Sequence, residues 1–238
     1  MRQLHILQLY PNEMNTYGDR GNLLVLKKRM QWHGYEPVIH YYHIGGELPE
    51  TVDIVLGGGG QDSAQGDIQS DILRISDQLH ALADKGTPML MVCGCYQLFG
   101  KHFVTQDKQE IQGISIFDIE TFGGEKRLIG NVKVKAGEFG TLFGFENHSG
   151  RTYLGQGQLE LGSVERGNGN NGEDKTEGAR TNNVFGTYMH GPVLPNNPVL
   201  ADGLIKIAAT NRYGDFTEKK IDDSLSILAR RGAYRRSY

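Results

Sequence analysis

Cysteine is almost absent from this chain. There are two in 238 residues, Cys93 and Cys95, separated by one position. That spacing is too short for an ordinary structural disulfide, and there is no third thiol for either to join. The fold must therefore rest on its core, which a chain of this length can bury. Charge of one sign is also lacking: 25 Lys and Arg against 28 Asp and Glu leave a net charge of -3. Such a balance argues against a nucleic-acid binder, which usually carries a strongly basic face. Long hydrophobic runs are missing as well. The all-apolar stretch at 88–93 is far short of the roughly 20 residues that span a bilayer, and 1–7 has no apolar stretch of the secretory kind. These absences lead to the expectation of a soluble, cytoplasmic protein with no membrane span, organised as a single domain over 1–238. What the chain has in quantity is glycine, 33 residues, and their clustering turns out to matter.

The first two-thirds alternate strand-like with helix-like patterns. Short apolar runs at 4–9, 38–42 and 53–56 predict strands, and 88–92 is apolar throughout, as in a strand buried on both faces of a parallel sheet. Leu23, Leu24, Leu26 and Met30 recur on one side of a helix over 21–33. Ile68, Ile72, Ile75, Leu79 and Leu82 do the same over 67–85. The alternation predicts an α/β fold with a mostly parallel sheet and helices on both sides. The second half adds short strands at 116–119, 131–135, 142–146, 152–154 and 184–189, followed by helices over 198–213 and 222–232. The Gly/Asn-rich stretch near 163–181 has almost no apolar residue to bury, so it is expected to be a mobile surface loop. The closing pairs Arg230-Arg231 and Arg235-Arg236 predict a solvated face.

The chemistry concentrates at Met91-Val92-Cys93-Gly94-Cys95-Tyr96-Gln97. A buried strand ends at a cysteine and a short helix begins at once. A sharp strand-to-helix turn lifts a nucleophile above the sheet, and the helix N-terminus favours its thiolate. Small residues after it let a carbonyl approach backbone N–H groups. A Cys-x-Cys metal site is a poor alternative, because no histidine pair stands at ligand spacing; no metal is expected. A cysteine nucleophile needs a base. His190, in Gly186-Thr187-Tyr188-Met189-His190-Gly191-Pro192, falls at a strand end, where functional groups of open α/β sheets gather. His148, in Glu146-Asn147-His148-Ser149-Gly150, is its rival. The run Gly57-Gly58-Gly59-Gly60 ends a strand and could present N–H groups to an oxyanion.

Together, Cys93-Gly94-x-Tyr96-Gln97 followed by an apolar pair and Gly100, the glycine turn about 35 residues earlier, and the motif around His190 resemble the class I (triad-type) glutamine amidotransferase domain, in its cobyric-acid-synthase-like branch. The stretches 15–22, 57–62, 127–131 and 144–152 extend the likeness to small glutaminase subunits that serve a lipid II synthetase, so most of the chain is covered. The resemblance implies a three-layer, flavodoxin-like fold with extra strands in the second half. It implies Cys93 as nucleophile and His190 as base. The backbone N–H of Gly94 and one from the Gly58–Gly59 turn would form the oxyanion hole. Gln97 and Arg127 would hold glutamine, Arg127 by gripping its α-carboxylate with a planar guanidinium.

The chain departs from the family pattern in two places. Met91 and Cys95 stand where small residues are usual, and Pro192 stands where many triad enzymes carry a glutamate. The carboxylate that orients His190 must then come from Asp19, which could equally be only an N-cap, or from a partner protein. No Gly-x-x-x-x-Gly-Lys-Ser/Thr loop is present to cradle ATP. No cofactor is expected in this chain, and the resemblance implies a Mur-ligase-like synthetase partner that carries ATP and Mg²⁺. The ammonia would then amidate the D-glutamate of the lipid II stem peptide in peptidoglycan synthesis. A glutaminase for another synthetase, such as a cobyrinate amidase, and a non-catalytic binding subunit of the same fold remain open alternatives.

Overall fold

Each apolar run at the start of the chain ends in a turn, and helices carry the chain back so that the next strand can pair in parallel. In chain order these elements are β1 (Gln3–Leu9), α1 (Arg20–His33), β2 (Glu36–Tyr42), β3 (Ile54–Gly57), α2 (Asp62–Arg74), α3 (Ser76–Asp84), β4 (Met89–Val92) and α4 (Gly94–Leu98). The computed structural model describes residues 1–235. With the later strand β12 (Val184–Thr187), the strands stand in the order β12-β4-β3-β1-β2, all parallel. Numbered among themselves, they follow the flavodoxin-like order 2-1-3-4-5. β11 (Ala179–Thr181) adds an antiparallel edge beyond β12. Every residue of β3 and β4 is buried, as their unbroken apolar character requires. β2 begins two residues earlier than its apolar run, because Pro37 has no N–H to donate and an edge strand tolerates that. The helix expected over 67–85 is two helices, which meet at Ile75 with φ -97° and ψ 6°.

The second half builds a second sheet instead of lengthening the first. It contains β5 (His102–Val104), β6 (Glu110–Gln112), β7 (Ile119–Lys135), β8 (Thr141–Leu154), β9 (Gly162–Arg166) and β10 (Thr176–Glu177). The order is β10-β9-β7-β5-β6, with β8 paired to β7. The separate short strands predicted between 116 and 154 are largely one long hairpin. β7 and β8 pair antiparallel from Ile119 opposite Leu154 to Lys135 opposite Thr141. Glycines at 123, 130, 144 and 150 interrupt the side-chain pattern but keep their places in the ladder. Pairing shifts register between Gly123 and Leu128, and Arg127 lies within that irregularity.

The Gly/Asn-rich stretch differs from the mobile surface loop its composition suggested. It supplies β9, β10 and β11, and Asn170, Asn171 and Glu177 are buried. The Asn170 side chain donates to Thr176 Oγ1 (2.9 Å) and Gly178 O (2.9 Å). It accepts from Gly178 N (2.9 Å) and the Tyr96 hydroxyl (3.2 Å). A polar segment can enter an interior when its hydrogen bonds are met by protein, and composition alone does not reveal this.

Three helices close the chain: α5 (Val193–Asn196), α6 (Pro198–Tyr213) and α7 (Ser224–Arg235). The buried Arg29 guanidinium of α1 meets both oxygens of Asp202 on α6 at 2.6 Å each and Asp223 at 2.7 Å, tying the start of the chain to its end. Arg230 packs its guanidinium 4.5 Å from the Phe143 ring centre and is half-buried, so it is not the solvated residue expected. The Arg235-Arg236 pair lies outside the described residues' side chains. Buried apolar side chains from both sheets form one continuous cluster. Among the described residues no helix is long and apolar enough to cross a membrane.

Asn170→Ala would leave buried backbone groups without partners. The expected loss is about 2–3 kcal/mol in urea denaturation, for several buried hydrogen bonds. A loss under about 0.5 kcal/mol, the size usual for surface changes, would show that the segment does not belong to the cooperative fold.

Candidate active site

The carboxyl ends of β3, β4 and β12 meet beside the point where strand order reverses, the usual place for a site in an open α/β sheet. β4 runs straight into Cys93, whose φ of 50° and ψ of -104° are rare for a residue with a side chain. The corner is fixed from both sides. Cys93 N donates to Thr187 O of β12 at 2.8 Å, and Gln97 N donates back to Cys93 O at 3.0 Å. Cys93 itself is 6% exposed. The strained elbow read from the sequence is present.

The glycine turn after β3 packs directly beneath this corner. A Cβ added to Gly59 would lie 3.0 Å from His190 Cε1 and 3.1 Å from Cys93 Cβ. The two side chains thus converge across a residue that has none. A Cβ on Gly57 would meet Cys95 Sγ and Met91 Sδ, each at 2.8 Å. The two departures from the family pattern therefore fill one space, above the first glycine of the run. Cys95 is fully buried, which pushes its thiol far above its ordinary value, and its N–H donates to Gly58 O at 3.2 Å. A Cβ on Gly94 would fall 3.1 Å from Gly60 N.

Two expectations need correction here. The Gly59 N–H donates to Asp19 Oδ2 at 2.7 Å, so it is engaged and does not face Cys93 as an oxyanion donor. Asp19, in turn, makes no capping bond at the start of α1 and no bond to His190. Burial raises Asp19 to about 6, with the Gly59 N–H opposing the shift. His190 is 2% exposed and held by its backbone, donating to Phe145 O at 2.7 Å. Neither of its ring nitrogens has a hydrogen-bond partner among the described residues. Burial, and then the nearby Arg127 charge, lower His190 to about 4.

Cys93, Gln97 and Arg127 share the wall of a cavity of about 340 Å³, together with Tyr17, Gln65 and His148. Arg127 reaches over from the bulge in β7. It donates from Nε to Asn147 Oδ1 (2.7 Å) and from Nη2 to Asn147 O (2.6 Å) and the Tyr17 hydroxyl (2.9 Å). Gln97 has both ends of its amide engaged, donating to the Tyr188 hydroxyl (3.0 Å) and accepting from Gln65 Nε2 (2.8 Å). His190 borders a different cavity, of about 200 Å³, lined by Asn131, Phe143, Arg230 and Tyr234. A further cavity of about 770 Å³, at Gly66, Gln69, Thr105 and Gln109, has no cysteine or histidine among the described residues of its wall.

The sequence reading missed Tyr17, Gln65 and Tyr188. Tyr17 lies inside a quoted motif stretch but had no assigned role. Gln65, on α2, offered no signal, since only the fold sets it opposite Gln97. The pattern of CobB/CobQ-like glutamine amidotransferase domains matches residues 5–198. The GatD subunit of the glutamine-hydrolyzing lipid II isoglutaminyl synthase of Staphylococcus aureus is 36% identical, over 97% of this chain and 94% of that protein. The subunit of the same name from Streptococcus pneumoniae is 38% identical, over 94% and 88%. A solved glutamine amidotransferase superposes with a TM-score of 0.61 at 15% identity, covering 85% of this chain and 98% of that one, a likeness of fold.

With Asp19 at about 6 in the fold and 3.8 as its ordinary value, the folded state holds a proton that the unfolded chain releases. Stability from this group is complete below pH 3.8 and is lost as pH rises through 6. Asp19→Asn keeps an acceptor for Gly59 N–H. It should be more stable than the parent by about 3 kcal/mol at pH 8, and most of that gain should vanish by pH 4. Urea midpoints at the two pH values measure this; a gain independent of pH would refute the burial argument.

Proposed function

The chain belongs to the CobB/CobQ-like glutamine amidotransferase family, and from that premise we propose that it is a glutaminase subunit that supplies ammonia to a separate synthetase. The observation that carries this reading is the convergence of Cys93, on its strained corner, and His190 across Gly59. A base held neutral by burial is ready to take the thiol proton at physiological pH. The Cys93 thiolate then attacks the side-chain amide carbon of glutamine. The oxyanion that forms is received by the amide of Gly94 and one from the glycine turn, in which Gly59 N–H is bonded to Asp19. Protonated His190 returns its proton to the leaving nitrogen, the C–N bond breaks, and ammonia departs from a γ-glutamyl thioester. Water, deprotonated by the same histidine, releases glutamate and restores the thiol. Arg127, held by its Nε and Nη2 bonds to Asn147 and Tyr17, pairs with the α-carboxylate through Nη1. Cys95 takes no part, because a fully buried thiol held far above its usual range does not ionise at neutral pH.

The two GatD relatives support a finer assignment. The ammonia amidates the D-glutamate α-carboxyl of the lipid II stem peptide, on a Mur-ligase-like synthetase that carries ATP and Mg²⁺. The glutaminase half needs no metal or organic cofactor, and glutamine and ATP both belong to the cytoplasm. With no bond between Asp19 and His190, the carboxylate that orients His190 comes from the partner, through the cavity bounded by Asn131 and Arg230. The site mouth then faces the synthetase, which shields ammonia from protonation in bulk water.

A glutamine-analogue electrophile should label Cys93 and not Cys95, mapped by mass spectrometry, and Cys93→Ala should form no glutamate with the synthetase present. Amidated lipid II should appear only when the synthetase is added to this chain with ATP, Mg²⁺ and glutamine. An adduct on Cys95, or amidation by this chain alone, would overturn the proposal.

Arg127→Lys should lower kcat/KM for glutamine roughly tenfold to a hundredfold, since an ammonium cannot keep the bonds to Asn147 and Tyr17 and still pair with the carboxylate. Unchanged kinetics would leave Arg127 as a surface residue bonded to Asn147.

A further inference from the structure

The wall of the Cys93 cavity carries an acceptor that the mechanism does not use. His148 lies on β8 and is 2% exposed. Its ring is stacked flat on Tyr188, with centroids 3.7 Å apart and planes 5° from parallel. Its Nδ1 stands 2.8 Å from Gly150 O. A carbonyl oxygen can only accept, so Nδ1 holds the proton, and a neutral ring then keeps a bare lone pair on Nε2. Nε2 is buried and has no hydrogen-bond partner among the described residues. The ring is held neutral mainly by burial, reinforced by the charges of Arg151 and Arg127, and its pKa lies near 3. An orphaned polar atom on the wall of a binding cavity calls for an explanation, because leaving it unmet is costly.

Glutamine enters such a site as a zwitterion. Its carboxylate has Arg127, but among the described residues no acidic side chain lines this cavity to receive its ammonium. Position supplies the rest. Arg127 and His148 line the same cavity, and Arg127 Nη2 is bonded to the Asn147 carbonyl that leads into His148, so a ligand whose carboxylate meets Arg127 has its α-carbon within the space that His148 borders. We propose that His148 Nε2 accepts a hydrogen bond from the α-ammonium of the substrate and so selects α-amino acids at this site. The proposal rests on the glutaminase reading above and adds a residue that fixes specificity. His148 had entered as a rival base; the tether of Nδ1 and the ring stack give it a fixed orientation suited to binding.

The test compares L-glutamine with glutaramate, the same molecule with hydrogen in place of the α-ammonium, in the complex with the synthetase. The wild type should favour glutamine in kcat/KM by tenfold or more. His148→Phe keeps a flat ring on Tyr188 and removes the lone pair. Its loss on glutamine should be roughly tenfold to a hundredfold, as for a hydrogen bond to a charged group. Its loss on glutaramate should be at least tenfold smaller, so that the preference collapses. Equal losses on both substrates, or a preference that survives, would overturn the proposal and leave His148 a packing residue. If the variant does not fold, ¹⁵N NMR of the His148 ring in Cys93→Ala replaces it. The Nε2 resonance should move upfield with L-glutamine and stay in place with glutaramate; an unmoved Nε2 overturns the contact. This titration reads binding alone. It therefore decides the His148 contact even if the wild-type complex hydrolyses neither substrate, a result that would count against the glutaminase reading.

Discussion

Four consecutive positions at the end of β3 leave no space for a side chain, and the site is arranged around that lack of space. A Cβ would meet Cys95 and Met91 at Gly57, Met14 O at 2.1 Å at Gly58, His190 and Cys93 at Gly59, and Met14 Sδ at 2.5 Å at Gly60. Such close approach lets one backbone turn touch the Cys93 corner, His190 and the loop after β1 at once. A glycine pays for this with extra backbone freedom in the unfolded chain. The run is held by its neighbours, through Gly59 N–H to Asp19 and Cys95 N–H to Gly58 O.

The same tight packing sets the electrostatics. Asp19, His148 and His190 lie close to Cys93 in sites that water hardly reaches, and in each the leading cause of the shift is burial. Burial disfavours charge whichever its sign, so the carboxyl is pushed up while both imidazoles are pulled down. The result is a pair of neutral histidines with different surroundings. His190 has both nitrogens unmet and borders a second cavity; His148 is tethered at Nδ1 and stacked on Tyr188. These surroundings underlie the different roles proposed for the two rings.

The second sheet completes the cavity, and two buried carboxylates hold it there. Glu146 on β8 accepts from the N–H groups of Asn168 (2.8 Å) and Gly169 (2.9 Å), fastening the Gly/Asn-rich segment. Glu177 accepts from the Thr187 hydroxyl (2.9 Å) and Tyr188 N (2.7 Å), where β12 leads toward His190. Hydrogen bonds to backbone donors offset part of the lost hydration, though burial still pushes both carboxyls up, Glu177 to about 7. The segment that looked dispensable by composition thus supports the strand that delivers the histidine.

What the sequence determined by itself is local and short in range. The apolar run ending at Cys93, the glycine run after β3, and the strand ending near His190 each show a strand end, because burial on both faces demands unbroken apolar residues. The alternation of strands and helices gave the parallel sheet. Motif resemblance identified Arg127, which no pattern of burial would have marked, since it is exposed and lies in a bulge. Tertiary structure alone decided the rest. Which amide of the glycine run is engaged, where Asp19 points, how Gln65 meets Gln97, and which nitrogen of His148 stays bare all depend on contacts between residues distant in the chain. The β7–β8 hairpin and the buried Asn170 escaped the sequence reading for one physical reason. Both are specified by backbone pairing and hydrogen bonds, which side-chain hydrophobicity does not record.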